Sequence, residues 1–407
     1  MPAIYLDNNA TTRVDPAVVE AMLPFFSEHY GNASSKHSFG NQVAAAVKTA
    51  RQQIQALIGA QSPDEIIFTS GGTESDNAAI LSALDSQVER NEVITSSVEH
   101  PAVLALCQNL EKTRSIKVHR IPVDAQGRLD FDAYRAALNS KTAIVSIMWA
   151  NNETGVIFPV EQLAGLAREA GSLFHTDAVQ AVGKAPINLK TSAIDMLSIS
   201  AHKLHGPKGI GALYVRKGVR YCPQTLGGRQ ERGRRAGTEN IPGIVGFGKA
   251  AELAATHIWD QLTRVCALRN RLEYTISVLT KGSAVLGNMD ARLPNTSNIV
   301  FKDLESDAIL TLLDQKGIAA SSGSACASGS MEPSHVLRAM RVPFSHIHGA
   351  VRFSLSRENS EQDIDAVLHA IPGVINKLQR SVPATPIAAG TPDRTNSATN
   401  QAIEVRS

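Results

Sequence analysis

The sequence predicts an α/β fold built on a mostly parallel sheet. Short apolar runs recur at Ile66-Ile67-Phe68, Val93-Ile94, residues 143–148, Leu173-Phe174, residues 196–199 and residues 212–215. Strands that are apolar throughout are those covered on both faces, as in parallel sheets flanked by helices. Helical patterns separate the runs. Val43, Val47, Ala50, Ile54 and Leu57 recur at helical spacing, and Gly59 then ends the helix. Polar residues stand directly after several of the runs, beyond the carboxyl ends of the strands, where such sheets bind ligands.

At 407 residues the chain is too long for one core. The strand-rich text predicts a large unit over residues 16–260. Leu262, Val265, Leu268 and Leu272 carry a long helical pattern that bridges to a smaller α/β unit over residues 261–380. Residues 1–15 are expected to pack with that smaller unit. Residues 381–407 hold no aromatic and several Pro, Thr, Ser and Ala, so the tail is expected to be disordered.

Composition excludes several classes of function. Hydrophobic residues make up 43% and charged residues 19%, as in ordinary soluble globular chains. A net charge of +2 gives no basic field to gather nucleic acid. No apolar run reaches transmembrane length and no basic-then-apolar leader opens the chain, so no membrane partner and a cytoplasmic location are expected. Cys107, Cys222, Cys266 and Cys326 are far apart and form no C-x-x-C pair, which argues against a zinc knuckle or a disulfide framework.

Lys203 carries the strongest chemical signal. It lies in Ser200-Ala201-His202-Lys203-Leu204-His205-Gly206-Pro207-Lys208-Gly209, directly after an apolar run. An ammonium at the end of a buried strand is partly desolvated, which favours the neutral amine. That amine is a nucleophile toward carbonyls, including the aldehyde of pyridoxal 5′-phosphate (PLP). The other parts of a PLP site follow other runs. Thr69-Ser70-Gly71-Gly72-Thr73-Glu74-Ser75 reads as a tight turn into a helix N-terminus, an anion site suited to a phosphate. His100, in Val98-Glu99-His100-Pro101, suits ring stacking and proton transfer. Asn152 follows a run and can bond a cofactor oxygen or a substrate carboxylate. Asp177, in Phe174-His175-Thr176-Asp177-Ala178-Val179-Gln180, is a carboxylate at a buried strand end and needs a cation, which a protonated pyridine nitrogen supplies. Gln180 can bond the ring hydroxyl oxygen. Taken singly, a turn glycine, a capping aspartate or a loop histidine each has a purely structural explanation.

Two further signals lie later in the chain. Cys326 sits in Ser321-Ser322-Gly323-Ser324-Ala325-Cys326-Ala327-Ser328-Gly329-Ser330, a stretch with nothing large and apolar to bury a thiol, as a nucleophilic cysteine requires. Arg352 stands inside the strand-like Val351-Arg352-Phe353-Ser354, where it suits either a carboxylate clamp or a structural ion pair. The run from Gly243 to Ala250 lacks the Ser or Thr of a phosphate loop and follows no strand. His202 and His205 have a metal-like spacing without a third ligand.

These residues, together with Tyr5-Leu6-Asp7-Asn8-Asn9-Ala10-Thr11-Thr12, Asn151-Asn152-Glu153 and residues 227–240, resemble the cysteine desulfurases. Those are PLP enzymes of the class-V aminotransferase branch, with the fold type I, aspartate-aminotransferase-like architecture. The resemblance spans residues 4–380. In Asn8-Asn9, Met148-Trp149-Ala150 and residues 234–240 it is closest to the nitrogenase-associated desulfurases. Gly72 stands where alanine is common, Ala201 where glycine is common, and Ala33 where proline is frequent.

The resemblance implies that Lys203 holds PLP covalently and moves the substrate's Cα proton, while His100 stacks on the ring and transfers protons. It pairs Asp177 with the pyridinium and Gln180 with the phenolic oxygen. Gly72, Thr73, Ser200 and His202 are implied to hold the phosphate, with Thr238 reaching it from the other subunit of a homodimer, and Ala201 is implied to lie at the cofactor. Asn152, at the cofactor, and Arg352 are implied to take the substrate carboxylate. Cys326 is implied to receive sulfur as a persulfide, and is a candidate transient ligand of an iron–sulfur cluster. The implied activity converts L-cysteine to L-alanine and delivers sulfur to an iron–sulfur scaffold protein, for nitrogenase maturation. The alternatives are a selenocysteine lyase or another PLP-dependent enzyme of the same branch, and a sulfur-delivery protein without PLP.

Overall fold

The computed structural model describes residues 3–322 and 333–381. Each apolar run of the first half is a strand. β1 is Ile4–Tyr5, β2 Ile66–Thr69, β3 Glu92–Ser96, β4 Lys117–Ile121, β5 Thr142–Ser146, β6 Leu173–Asp177, β7 Met196–Ser200 and β8 Gly211–Val215. Strands β2 to β8 form one sheet in the order β2-β8-β7-β6-β5-β3-β4. Its neighbours are parallel except at β8, which runs antiparallel to both β7 and β2. Strands β2, β3, β5, β6 and β7 therefore point the same way and end on one edge. Every residue of β2, β3, β5, β7 and β8 is buried, as expected of strands covered on both faces. β4 differs: it is an edge strand exposed at Lys117 and Arg120, and its polar Lys117-Val118-His119-Arg120 text hid it from the apolar-run criterion.

Helices supply the cover. Ser38–Ile58 packs against Ile241–Asp260 on one face, and Gly72–Ser86 against Pro101–Arg114 on the other. Gly59 ends the first of these as expected, at φ +60° in the left-handed region, with its N–H on the carbonyls of Gln55 and Ala56.

The remaining strands are β9 Ser283–Leu286, β10 Thr296–Phe301, β11 Ile318–Ala319 and β12 Ala350–Ser354. They form a second antiparallel sheet, β12-β10-β9, and a short β1–β11 pair. Here Leu268, Leu272, Ile299, Phe353, Ile364 and Ile371 build a separate core. The N-terminal segment belongs to it. Ile4 pairs with Ile318, and the Leu6 N–H donates to Ala319 O at 2.8 Å. The long helical pattern is Ile241–Asp260, a wide turn Gln261–Val265, and Cys266–Leu279. It passes from the first core to the second. No helix among the described residues is long and apolar enough to cross a membrane. The expected tail lies outside the described residues from 382 onward.

Candidate active site

The common edge of β2, β3, β5, β6 and β7 opens on a cavity of about 360 Å³. Residues following each of these strands line it: Gly72 and Thr73, His100, Asn152, Asp177 with Gln180, and Ser200, His202 and Lys203. Arg352 closes it from the second sheet. Ten of the positions singled out in the sequence thus meet in one place, because parallel strands deliver their successors to the same side.

Lys203 ends a single 3₁₀ turn after β7. Its Nζ donates to the carbonyls of Asn9 and Ala10, the latter at 2.7 Å. The N-terminal segment therefore forms part of the wall. Asn9 is held there by its own N–H on Ser354 Oγ (2.9 Å) and by Nδ2 on Thr296 Oγ1 (2.8 Å).

His100 is the N-cap of Pro101–Arg114. Its Nδ1 accepts the Ala102 N–H at 3.1 Å, so the proton of the neutral ring sits on Nε2. Burial, and after it Lys203 and His335, holds the ring below the usual histidine range against the opposing pull of Asp177. The backbone under His100 is fixed by Glu99, whose carboxylate accepts the Met148 N–H (3.0 Å) and joins the ends of β3 and β5. Burial pushes Glu99 up to about 8.

Asp177 is buried at the end of β6, and its Oδ1 accepts the Val179 N–H at 2.9 Å. Burial raises its carboxyl above the ordinary range, and His100, the Val179 bond and Lys203 offset this only in part. Such a carboxylate is stabilised by a cation placed against it. A protonated pyridine nitrogen is such a cation.

The helix Gly72–Ser86 begins at the cavity, where the N–H groups of its first turn lack intrahelical partners. Ser200 and His202 face the same space. The His202 Nδ1 pairs with Thr11 Oγ1 at 3.1 Å, and burial holds the ring down to about 4, so it is neutral at ordinary pH. A Cβ added to Gly72 would lie 2.9 Å from Val179 Cγ2. Gly72→Ala is therefore expected to weaken PLP binding and to cost about 1–2 kcal/mol of stability, since overpacking outweighs the helix-propensity gain. Val179→Ala in the same chain should restore both. Thermal melts and PLP titrations check this.

Two of the expected cofactor residues do not line this chain's cavity. Ala201 does not line the cavity: its side chain is buried in the core and its N–H donates to Ile210 O at 3.1 Å. Thr238 is exposed and lines a separate surface cavity with Arg235 and Glu239, away from Lys203 of its own chain. Cys326 lies outside the described residues. Among the described residues no group of three or more His, Cys, Asp or Glu could hold a metal ion.

Arg352 is buried. Its Nη2 donates to Asp7 Oδ1 (2.7 Å) and its Nη1 to Asn152 O (2.9 Å). These bonds orient a guanidinium at the cavity, as a carboxylate clamp requires. Asn151, beside Asn152, is structural: its Oδ1 accepts the N–H groups of Glu153 and Thr154.

The donor set fits PLP. A lysine, a buried carboxylate lacking a strong cationic partner, a helix N-terminus and an imidazole face one space of suitable size. The model of the class-V aminotransferase family matches residues 4–367, and the chain belongs to that family of PLP-dependent enzymes. It is 66% identical over 383 residues to a cysteine desulfurase of Gluconacetobacter diazotrophicus, covering 94% of this chain and 96% of that one. It is 57% identical to the cysteine desulfurase NifS of Azotobacter vinelandii, covering 94% and 95%. A solved NifS-like protein superposes with a TM-score of 0.86 at 37% identity, covering 92% of this chain and 100% of that one. Its place within the family is with the cysteine desulfurases.

Sequence reasoning missed Asp76, Lys184 and His175. Asp76 lines the cavity one turn into Gly72–Ser86, and burial followed by Asp177 holds its carboxyl well above the ordinary range. His175 is fully buried between Ser146 Oγ and Ser198 Oγ, each at 2.9 Å. Lys184 is buried against Gln180. The available signal was weak: a polar residue one helical turn after a glycine turn, or two residues before a strand-end aspartate.

Proposed function

We propose that this chain removes sulfur from L-cysteine, releases L-alanine, and carries the sulfur on Cys326 for delivery to an iron–sulfur scaffold protein in nitrogenase maturation. The observation that carries this is the convergence of Lys203, His100, Asp177 and Arg352 on one cavity. Bound PLP supplies an electron sink for charge developing at the substrate's Cα.

The chain's own residues do the rest. Lys203 Nζ anchors the cofactor and then moves the Cα proton. Asp177 keeps a proton on the ring nitrogen. His100 would stack on the ring and offer its Nε2 proton, the nitrogen left for transfer by the Ala102 bond. The helix N-terminus at Gly72 and Thr73, with Ser200 and His202, takes the phosphate. Arg352 and Asn152 take the substrate carboxylate and thereby orient its Cα toward Lys203. Cys326 Sγ, as a thiolate, bonds to the substrate sulfur as the Cβ–sulfur bond breaks, and Cβ takes a proton. Thr238, exposed and not among the residues lining its own chain's cavity, supports a homodimer in which it serves the partner's phosphate. The likeness to the relative named NifS supports the nitrogenase assignment.

Product analysis tests this reading. Purified protein with L-cysteine and a reductant is expected to release alanine and sulfide in equal amounts, and a keto acid instead would indicate transamination. Cys326→Ala is expected to keep the visible absorption of bound PLP and to lose sulfur transfer to protein acceptors. Full transfer by that variant would remove Cys326 from the mechanism.

A further inference from the structure

The side-chain amide of Gln180 lies between two neighbours of opposite hydrogen-bonding character. On one side the Lys184 Nζ donates to Gln180 Oε1 at 3.1 Å. On the other, Gln180 Nε2 donates to Asn9 O at 3.0 Å. A backbone carbonyl only accepts, which sets the nitrogen end toward Asn9, and the Lys184 Nζ gives an N–H to the oxygen end, so the two together favour one orientation of the amide. Both side chains are more than nine-tenths buried, and each neighbour is fixed in turn. The Asn9 carbonyl also accepts from Lys203 Nζ. The nitrogen end of Gln180 is therefore held beside Lys203, and an amide nitrogen has a second N–H to give.

That geometry has a chemical consequence. In PLP the phenolic oxygen is on the ring carbon next to the one bearing the aldehyde, so a cofactor joined to Lys203 places that oxygen close by. We propose that Lys184 is a positioning residue: it holds Gln180 Oε1 so that the amide presents N–H, rather than oxygen, to the cofactor's phenolic oxygen. This rests on the PLP reading of the cavity given above. Without Lys184 only the Asn9 carbonyl opposes a turn of the amide, which would bring its oxygen against another oxygen.

A double-mutant cycle tests it, using Lys184→Met, Gln180→Leu and both together. Two quantities are read: the PLP affinity of the apoprotein, and the pH midpoint at which the visible band of the bound cofactor titrates. Each single variant is expected to weaken PLP binding roughly tenfold, as for a lost hydrogen bond to a charged group. Each should also move the midpoint to higher pH, because the phenolic oxygen keeps more charge to hold the neighbouring proton. The double variant should match the single ones, since both remove the same bond. A purely electrostatic effect of Lys184 on Lys203 would instead add to the Gln180 effect, and additive shifts overturn the proposal.

Lys184→Gln keeps an N–H donor and should stay within about twofold of wild type. A tenfold loss in that variant also overturns it, and this arm stands if Lys184→Met does not fold. A silent Gln180→Leu variant that still carries PLP on Lys203 overturns the proposal while leaving the cofactor reading intact. Wild-type protein with no visible band would instead fail the cofactor reading itself.

Discussion

Lys203→Ala is expected to abolish covalent attachment of PLP and to slow alanine formation from L-cysteine by on the order of 10⁴-fold or more, the loss of an anchor and of a proton carrier together. Two lysines compete for this role. Burial, followed by Lys203 and Arg352, pushes Lys184 down to about 7, so titration alone makes it a candidate nucleophile. Geometry decides the other way. Lys184 Nζ is bonded to Gln180 Oε1, and the cavity Lys184 lines is about 20 Å³, room for roughly one water. Lys203 borders that small cavity too, but it alone of the two lines the cavity of about 360 Å³ that Asp177, His100 and Arg352 share. Borohydride reduction of the holoprotein followed by peptide mass spectrometry should place the cofactor on Lys203 alone. The Lys203→Ala protein should still take up PLP reversibly through Asp177 and the helix N-terminus. An adduct on Lys184 in wild-type protein would transfer the catalytic role to that residue.

The parts of the fold that were legible in the sequence share one physical property: they are buried on both faces. Residues 66–68, 196–199 and 212–215 read as strands because a covered strand has no reason to alternate. β4 is open to solvent, Lys117 and Arg120 being exposed at the sheet edge, and it went unread. The site was legible for a related reason. Asp177, Lys203 and His100 each follow a strand signal, and topology then carries them to one edge. What sequence spacing does not encode is the path of a segment through space. Asn9 reaches Lys203 because β1 pairs with β11, residues more than 300 positions later. Ala201 illustrates the converse: adjacent to two cavity residues in sequence, it turns into the core because a 3₁₀ turn follows β7 there. Lys184 and Asp76 were illegible because a buried titratable group has no local signature; only its neighbours show that it is desolvated.

Asp177→Asn is expected to move turnover and apoprotein stability in opposite directions. In the proposed holoenzyme the carboxylate would pair with the ring nitrogen and keep it protonated, which is what draws electrons from Cα. Removing one partner of a buried charge pair costs roughly 3–5 kcal/mol, or about 10²–10⁴-fold in turnover. The apoprotein lacks that cation, and burial there raises the Asp177 carboxyl above its ordinary 3.8. A group whose folded value is raised contributes stability that is complete below its unfolded value and is lost as pH rises through the folded one. The loss is about 1.4 kcal/mol for each pH unit between the two. Asparagine cannot ionise, so the variant apoprotein should melt above wild type at pH 8 and level with it at pH 4. Asp76 and Glu99 are raised by burial as well, but they titrate in both proteins and cancel in the comparison. Equal melting at both pH values would mean that Asp177 is ionised in the apoprotein through a partner other than the cofactor. Unchanged turnover would mean that the ring nitrogen is held by some other group, and the next candidate would then be Asp76, the second carboxyl on the same cavity wall.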